Sequence, residues 1–325
     1  MSLKPICRRM SLSSDPFSDD HVKKIRETHN HFPKPAFISF DLFGTLYTPR
    51  EPVPKQYHDI ATREFGIDVP LDRISSQFPI VYEELLSKYP NYGQGSPNIS
   101  NASEWWSELI VELLGIPHYK QSQHSKQVCD RLLSHFTTDE AYRVYDDVIP
   151  TLKALSDEGV PLLVSSNSDP RVYEILENLQ LSQFFPKDLT YLSTNLGYEK
   201  PDRKFFHTIA NSIYQKSDVQ SRPDFLEQCW HVGDSYTKDF LPSVKSGWNG
   251  VLLDRHRTSK IFSHHQQPQL KLDACFLSDR GEPDIDDDNL RLIANNRVAM
   301  TDLTQLLRIF DFDPAQPSQS VSNQI

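Results

Sequence analysis

A doubly wound, largely parallel α/β sheet with a helical cap inserted after its first strand is the fold this sequence predicts. Three observations carry the expectation. An apolar, β-rich run, AFISFDLFG (Ala36 to Gly44), ends on an acidic residue and a glycine. Strand and helix patterns alternate from about residue 147 onward. Between the two lies a long stretch whose periodic segments are all helical.

Taken in chain order, residues 1–34 are polar and irregular and read as a leader outside the core. The run from Ala36 looks like a parallel strand buried on both faces, delivering a side chain at its C-terminal edge. Over residues 52–142, apolar residues recur at three- and four-residue steps in KQYHDIATREFG, PIVYEELLSKYP, SEWWSELIVELLG and QHSKQVCDRLLSHF. Gly66, Pro90, Gly93, Pro97 and Gly115 separate these segments. Residues 52–142 are therefore expected to form the cap, and 35–51 with 143–312 the core. There a helix at 147–158 leads to the strand VPLLVSS and a helix from about Pro170. A short strand near LTYLS, the helix DRKFFHTIANSIY, the strand CWHVGD, the helix TKDFLPSVKSGW and the strand GVLLDR follow. Residues 256–295, with His256, His264, His265 and the acidic run Asp284 to Asp288, read as a polar insertion. RVAMTDLTQLLRIF reads as the strand and helix that close the core, and 313–325 as a disordered tail rich in Ser, Gln and Pro.

Composition narrows the function classes. At 325 residues the chain is long enough for a large domain and a smaller one. A formal charge of −10 argues against a nucleic-acid partner, because phosphate backbones recruit an excess of Lys and Arg. No apolar run approaches the roughly 20 residues of a membrane helix, so no membrane partner is expected. Cys7, Cys129, Cys229 and Cys275 are scattered without a CxxC pair, which excludes a zinc ribbon and suits a reducing compartment. The cytoplasm, with the nucleus open to it, is the expected location. The basic, Ser-containing start leaves a mitochondrial transit peptide as a weaker alternative.

In an open α/β sheet, ligands bind beyond the carboxyl ends of the strands. Four polar segments fall there: DLFGT (Asp41 to Thr45), SSNSD (Ser165 to Asp169), LGYEKPD (Leu196 to Asp202) and GDSYTKD (Gly233 to Asp239). Converging carboxylates repel and raise one another's pKa values. A hard cation such as Mg²⁺ removes that conflict and commonly also carries substrate phosphate. A lysine and a serine hydroxyl can hold the remaining phosphoryl oxygens. An anionic small-molecule substrate, a metal and an Asp nucleophile are the chemistry this set suggests.

The order DxxGT, Ser-Asn, Lys-Pro, GDxxxxD resembles the four motifs of the haloacid dehalogenase-like superfamily, over about 36–255 and the closing segment near 297–310. The helical insertion resembles that superfamily's cap. Within it, YPNYG (Tyr89 to Gly93) followed by EWW (Glu104 to Trp106) is similar to the members called haloacid dehalogenase-like hydrolase domain-containing protein 3. The resemblance implies a Rossmann-like core and the following roles. Asp41 matches the nucleophile and a metal ligand, Ser166 the phosphate-binding hydroxyl, and Lys200 the lysine that stabilises nucleophile and phosphoryl group. Thr45 and Asn167 join them as substrate-binding candidates. Asp234 matches a Mg²⁺ ligand, Asp239 a second ligand or orienting carboxylate, and Phe43 a ligand through its backbone carbonyl. Ser165 competes with Ser166 for the hydroxyl role, since a one-residue slip reverses facing.

Phe43 is also a departure. Phosphatases of the superfamily carry a second Asp there as general acid and base, a contribution typically worth about 10²–10⁴-fold. A phenyl ring cannot protonate a departing alkoxide. The favoured reading is a Mg²⁺-dependent phosphohydrolase acting on a small phosphorylated metabolite with a good leaving group, such as an acyl or aryl phosphate, or borrowing an acid from the cap. One alternative is a metal-free 2-haloacid dehalogenase, which carries an aromatic residue here but lacks a GDxxxxD such as that holding Asp234 and Asp239. The other is a binding or scaffold protein whose chemistry has decayed.

Each residue also has a bland reading. Asp41 suits a turn, Ser166 and Asn167 suit a helix N-cap before Pro170, and Lys200 suits a solvated loop. His231, inside a strand, reads as a satisfied core histidine; Trp105 and Trp106 read as cap packing, with one able to face the cleft.

Overall fold

A computed structural model describes residues 32, 34–259, 261–262, 289–294, 297–310 and 312. Residues 1–31 and 33 of the leader expected over 1–34, most of the polar insertion and the tail from 313 lie outside the described residues. Strands β1 (Phe37–Phe40), β2 (Tyr47–Pro49), β3 (Tyr142–Val144), β4 (Leu162–Ser166), β5 (Thr190–Leu192), β6 (Cys229–Gly233), β7 (Asn249–Leu253), β8 (Leu290–Ala294) and β9 (Arg297–Met300) build two sheets among them. The larger has the order β5-β4-β1-β6-β7-β9-β8. Its pairings are parallel except β8 with β9, which is antiparallel.

That antiparallel edge corrects the polar reading of 256–295 at its C-terminal end, because Leu290–Ala294 is a strand. The Asp284–Asp288 run and residues 295–296, which break the period, hide a five-residue strand from any pattern search. A second miss is the pair β2–β3, where Tyr47, Thr48 and Pro49 face Val144, Arg143 and Tyr142 at the two ends of the helical stretch. With a proline in one (YTP) and an arginine in the other (YRV), neither presents the apolar run that marks the equally short β5.

Alternation in β1 explains how the sheet is covered on both faces. Ile38 and Phe40 join one apolar cluster with Leu162, Val164, Trp230, Val232 and Val298. Phe37 joins the opposite one with Leu163, Phe205, Phe206 and Trp248. Ser39, Ser165 and His231 are fully buried polar exceptions among these strands.

Between β2 and β3, helices Val53–Phe65, Leu71–Lys88, Ala102–Leu114 and Gln123–His135 pack on one another. Leu71–Lys88 starts eight residues before the apolar period suggests and carries Pro79 inside it. Asn101 caps Ala102–Leu114 by accepting from the Glu104 amide at 3.0 Å, while Glu104 reaches back to the Ser100 amide at 3.0 Å. Such a cap is worth about 1 kcal/mol. Trp105, fully buried, anchors that helix and donates its Nε1 to the Tyr89 carbonyl at 3.1 Å. Among the described residues, no helix is long and apolar enough to cross a membrane.

The strand order reverses around β1, with β4 and β5 to one side and β6 and β7 to the other. Such a switch point opens a crevice at the carboxyl ends of β1, β4 and β6.

Candidate active site

Four segments meet in that crevice. Asp41 follows β1 directly, its amide held by the Val232 carbonyl at 2.9 Å. Lys200, 3% exposed, donates its Nζ to Asp41 Oδ1 at 2.7 Å, to Asp239 Oδ1 at 2.6 Å and to the Ser165 carbonyl at 2.9 Å. All three ammonium protons are thereby used. Asp41, Asp234 and Asp239 each place a carboxylate oxygen within 4.8 Å of the others.

Two glycines make this approach feasible. Gly44 has φ +82°, and a Cβ there would collide with the Asp234 carboxylate; a Cβ on Gly233 would collide with Asp239. Gly44→Ala therefore meets both a backbone penalty and a clash. For a divalent cation held by this cluster, it is expected to weaken binding at least tenfold, read by calorimetry, a loss in line with the 10–100-fold typical when a group beside a metal site is disturbed. Unchanged affinity would refute the steric account.

The turn after β6 sets Asp239 back toward β6. Tyr236–Phe240 is a single π-helical turn, a form common at functional sites. Asp239 Oδ2 accepts from the Ser235 amide at 3.1 Å, and Oδ1 also bonds His231 Nε2 at 3.0 Å. With Lys200, those contacts take three of the carboxylate's roughly four acceptor positions and orient Asp239, leaving a lone pair on Oδ2 toward the cluster with Asp41 and Asp234. On its other side the His231 ring meets Ser39 at 3.1 Å and Ser165 at 3.2 Å, and those two hydroxyls bond each other. His231 is thus a satisfied core histidine, but one that buttresses the site.

Electrostatics follow from burial and pairing. Burial pulls Lys200 down, yet Asp239 and Asp41 outweigh it and hold the ammonium above its ordinary range. Burial raises Asp239, but Lys200 and His231 hold its carboxyl well below the usual range. Burial, with Asp239 opposing Lys200, leaves Asp41 raised. Asp234, at the open mouth of the crevice, is pushed up to about 7 by desolvation, then by Asp41 and Asp239. One lysine cannot compensate three carboxylates, and the surplus sits on Asp41 and Asp234. Oxygen donors carrying an excess of negative charge suit a hard divalent cation, so the residues fit Mg²⁺.

Of the two serines ending β4, Ser166 lines the cleft, while the Ser165 hydroxyl turns into the His231 cluster. Asn167 also borders the cleft, but its amide is engaged: Nδ2 donates to the Lys200 carbonyl and Oδ1 accepts from the Lys200 amide, both at 2.7 Å. Expected to bind substrate, Asn167 lines the cleft while its side chain positions Lys200. Thr45, also expected to bind substrate, is fully buried and absent from the cleft wall, with its Oγ1 unpartnered among the described residues. The turn at Gly44 carries it inward. Phe43, 50% exposed, turns its ring into the cleft beside Tyr47 and Tyr142, with centroids 6.2 and 6.3 Å away.

The helical segment closes over this crevice, leaving a cavity of about 440 Å³. Asn91 (φ 49°) and Tyr92 (φ 57°) adopt left-handed backbone at the tip of YPNYG. From there Tyr92 donates to the Asn167 carbonyl at 3.0 Å and Asn91 Nδ2 to the Ser193 carbonyl at 2.9 Å. Trp106, beside the buried Trp105, donates Nε1 to Asp169 Oδ2 at 2.9 Å. Sequence reasoning missed Asp169, Arg171 and Tyr92. Asp169 at least ended the quoted SSNSD segment, whereas Arg171 after a proline reads as solvated.

A mostly parallel sheet flanked by helices, with an aspartate-centred cluster at its carboxyl edge, defines a class of α/β hydrolases. The chain belongs to the haloacid dehalogenase-like hydrolases: the model of that family matches residues 37–242. An uncharacterized protein of Saccharomyces cerevisiae is 33% identical over 229 residues, covering 69% of this chain and 73% of its own. Haloacid dehalogenase-like hydrolase domain-containing protein 3 of Bos taurus is 26% identical over 216 residues, covering 66% and 80%. Among solved structures, the HAD-hydrolase YfnB from Bacillus subtilis, solved bound to magnesium, superposes with a TM-score of 0.55 at 14% identity, over 86% of this chain and all of its own. At that identity the likeness speaks for the fold.

Proposed function

We propose that this hydrolase is a Mg²⁺-dependent phosphohydrolase that works through a phosphoryl-aspartate on Asp41 and acts on a small phosphorylated metabolite. The observation that carries the reading is the contact of Lys200 with both Asp41 and Asp239, with Asp234 alongside. Asp41 and Asp234, with the Phe43 carbonyl, would hold the metal, which when bound neutralises charge on the phosphoryl oxygens. Asp41 attacks phosphorus in line with the departing oxygen, Ser166 donates to a phosphoryl oxygen, and Lys200, its three protons engaged, orients Asp41 and supplies positive charge beside it. Water then hydrolyses the phosphoryl-aspartate.

Phe43 offers no proton, so the leaving group departs as an anion, which restricts substrates to aryl or acyl phosphates and similar esters. Purified protein should hydrolyse 4-nitrophenyl phosphate with Mg²⁺ and stop on chelation. Halide release from 2-chloropropionate without metal would replace this reading by the dehalogenase one. Silence toward both would favour a binding protein.

Metal binding carries its own test. Asp234 must lose its proton to ligate, and its carboxyl titrates at about 7 without metal. Mg²⁺ affinity should be flat above pH 7 and fall about tenfold per pH unit below it, as one proton comes to compete. The metal-free protein has the opposite trend: a raised carboxyl contributes stability at low pH that is lost as pH rises toward 7. Calorimetry in buffers of different ionisation enthalpy reads the released proton, and an affinity independent of pH between 5 and 7 would contradict the assignment.

A further inference from the structure

Away from the carboxylates the cleft changes character. Tyr47, Tyr57 and Tyr142 line it at 3%, 3% and 9% exposure. They come from three segments: β2, the helix Val53–Phe65 and β3. The rings of Tyr47 and Tyr142 lie 5.1 Å apart, and Phe136 spans Tyr57 and Tyr142 at 5.0 and 6.1 Å. Buried tyrosine hydroxyls normally find a partner. Among the described residues, none of these three has one, and none of the hydroxyls is sealed off: they open onto the cavity.

Arg171 borders the same space. Asp169 holds its Nε at 2.9 Å and its Nη2 at 2.8 Å, and the guanidinium lies 4.7 Å over the Trp106 ring. Nη1 has no partner among the described residues. Asp169 is saturated, since it also accepts from Trp106 Nε1 and from the Arg171 amide. Burial pushes the three phenols up, Tyr142 to about 12, so at neutral pH they are neutral donors. Hydroxyls and a guanidinium nitrogen, without a free acceptor charge among them, surround one end of the cavity.

We propose that Tyr47, Tyr57, Tyr142 and Arg171 form a subsite for a carboxylate on the leaving group, making the substrates small phosphorylated carboxylic acids. The inference rests on the phosphohydrolase reading for the other end of the substrate. An ionised carboxylate is an acceptor-only group with about four lone-pair positions, and it pairs with a guanidinium by charge-assisted bonds. Arg171 and Asp169 together are neutral, so one further negative charge is tolerated there, while a second phosphate would crowd two charges toward Asp169. A cavity of about 440 Å³ lies toward the small end of ligand pockets and limits the substrate accordingly.

Two phosphonates of equal size test it on the intact protein with Mg²⁺: 4-carboxybenzylphosphonate and its amide, 4-carbamoylbenzylphosphonate. Neither can turn over, so calorimetry reads recognition alone. The acid is expected to bind at least about tenfold tighter than the amide, the margin of one charge-assisted hydrogen bond. Tyr57→Phe and Tyr142→Phe keep the rings and should each bring that ratio toward one. Equal binding of acid and amide by the natural protein, no binding of either, or a ratio unmoved in both variants would overturn the subsite. Failure of the phosphohydrolase reading is seen separately, as inactivity toward 4-nitrophenyl phosphate while the preference for the acid persists.

Discussion

Asp41→Asn is expected to bring turnover down to the assay background without loss of fold. Removing the nucleophile from a covalent mechanism costs on the order of 10⁶-fold in kcat where such a site has been dissected. Asparagine keeps the volume, and Lys200 retains Asp239 at 2.6 Å and the Ser165 carbonyl at 2.9 Å. The variant also removes one of the two carboxylates that lift Asp234 to about 7, so that group should titrate lower. The urea midpoint of the metal-free variant should equal or exceed that of the natural protein, since a repelling charge is gone. Hydrolysis persisting in the variant would eliminate the covalent route through Asp41.

Lys200→Met should produce the reverse pattern in stability. The side chain is buried between Asp41 and Asp239, and methionine fills its volume while leaving both carboxylates without a counter-charge. Breaking a buried pair by removing one partner typically costs about 3–5 kcal/mol. Lys200 lowers Asp41, Asp239 and Asp234, so without it these buried carboxyls titrate higher, and the loss should grow as pH rises through neutrality and shrink on acidification. Mg²⁺ should restore part of the stability, about 2.7 kcal/mol at a hundred times its Kd. Turnover should fall about 10²–10³-fold, the usual effect of losing one positioned donor to a developing charge. Equilibrium urea unfolding with and without metal checks the first claim, and a midpoint matching the natural protein would refute it.

Much of the fold is legible in the chain because the relevant signals are local. A continuous apolar run ending in Asp41, and the alternation of helix and strand after residue 147, depend only on near neighbours along the sequence. Asp41, Ser166 and Asp234 could be collected for the same reason, each lying at or next to a strand end, while Lys200 and Asp239 lie several residues further on and are found by motif order. Some short elements were not legible: β2 (YTP) and β3 (YRV) carry a proline and an arginine within three residues, and β8 abuts polar neighbours, so no apolar run marks them as LTYLS marks the equally short β5.

Sequence by itself determined which residue types arrive at the carboxyl edge of the sheet, and in what order. Only the tertiary structure decided their partners. It turned Ser165 toward His231 and left Ser166 in the cleft, and it engaged Asn167 with a backbone 33 residues away. It sent Thr45 inward, and it gathered three tyrosines and Arg171 from separate segments. The reason is physical: position along a strand follows from local periodicity, but side-chain facing and cross-chain contact are set by register and packing among elements distant in sequence.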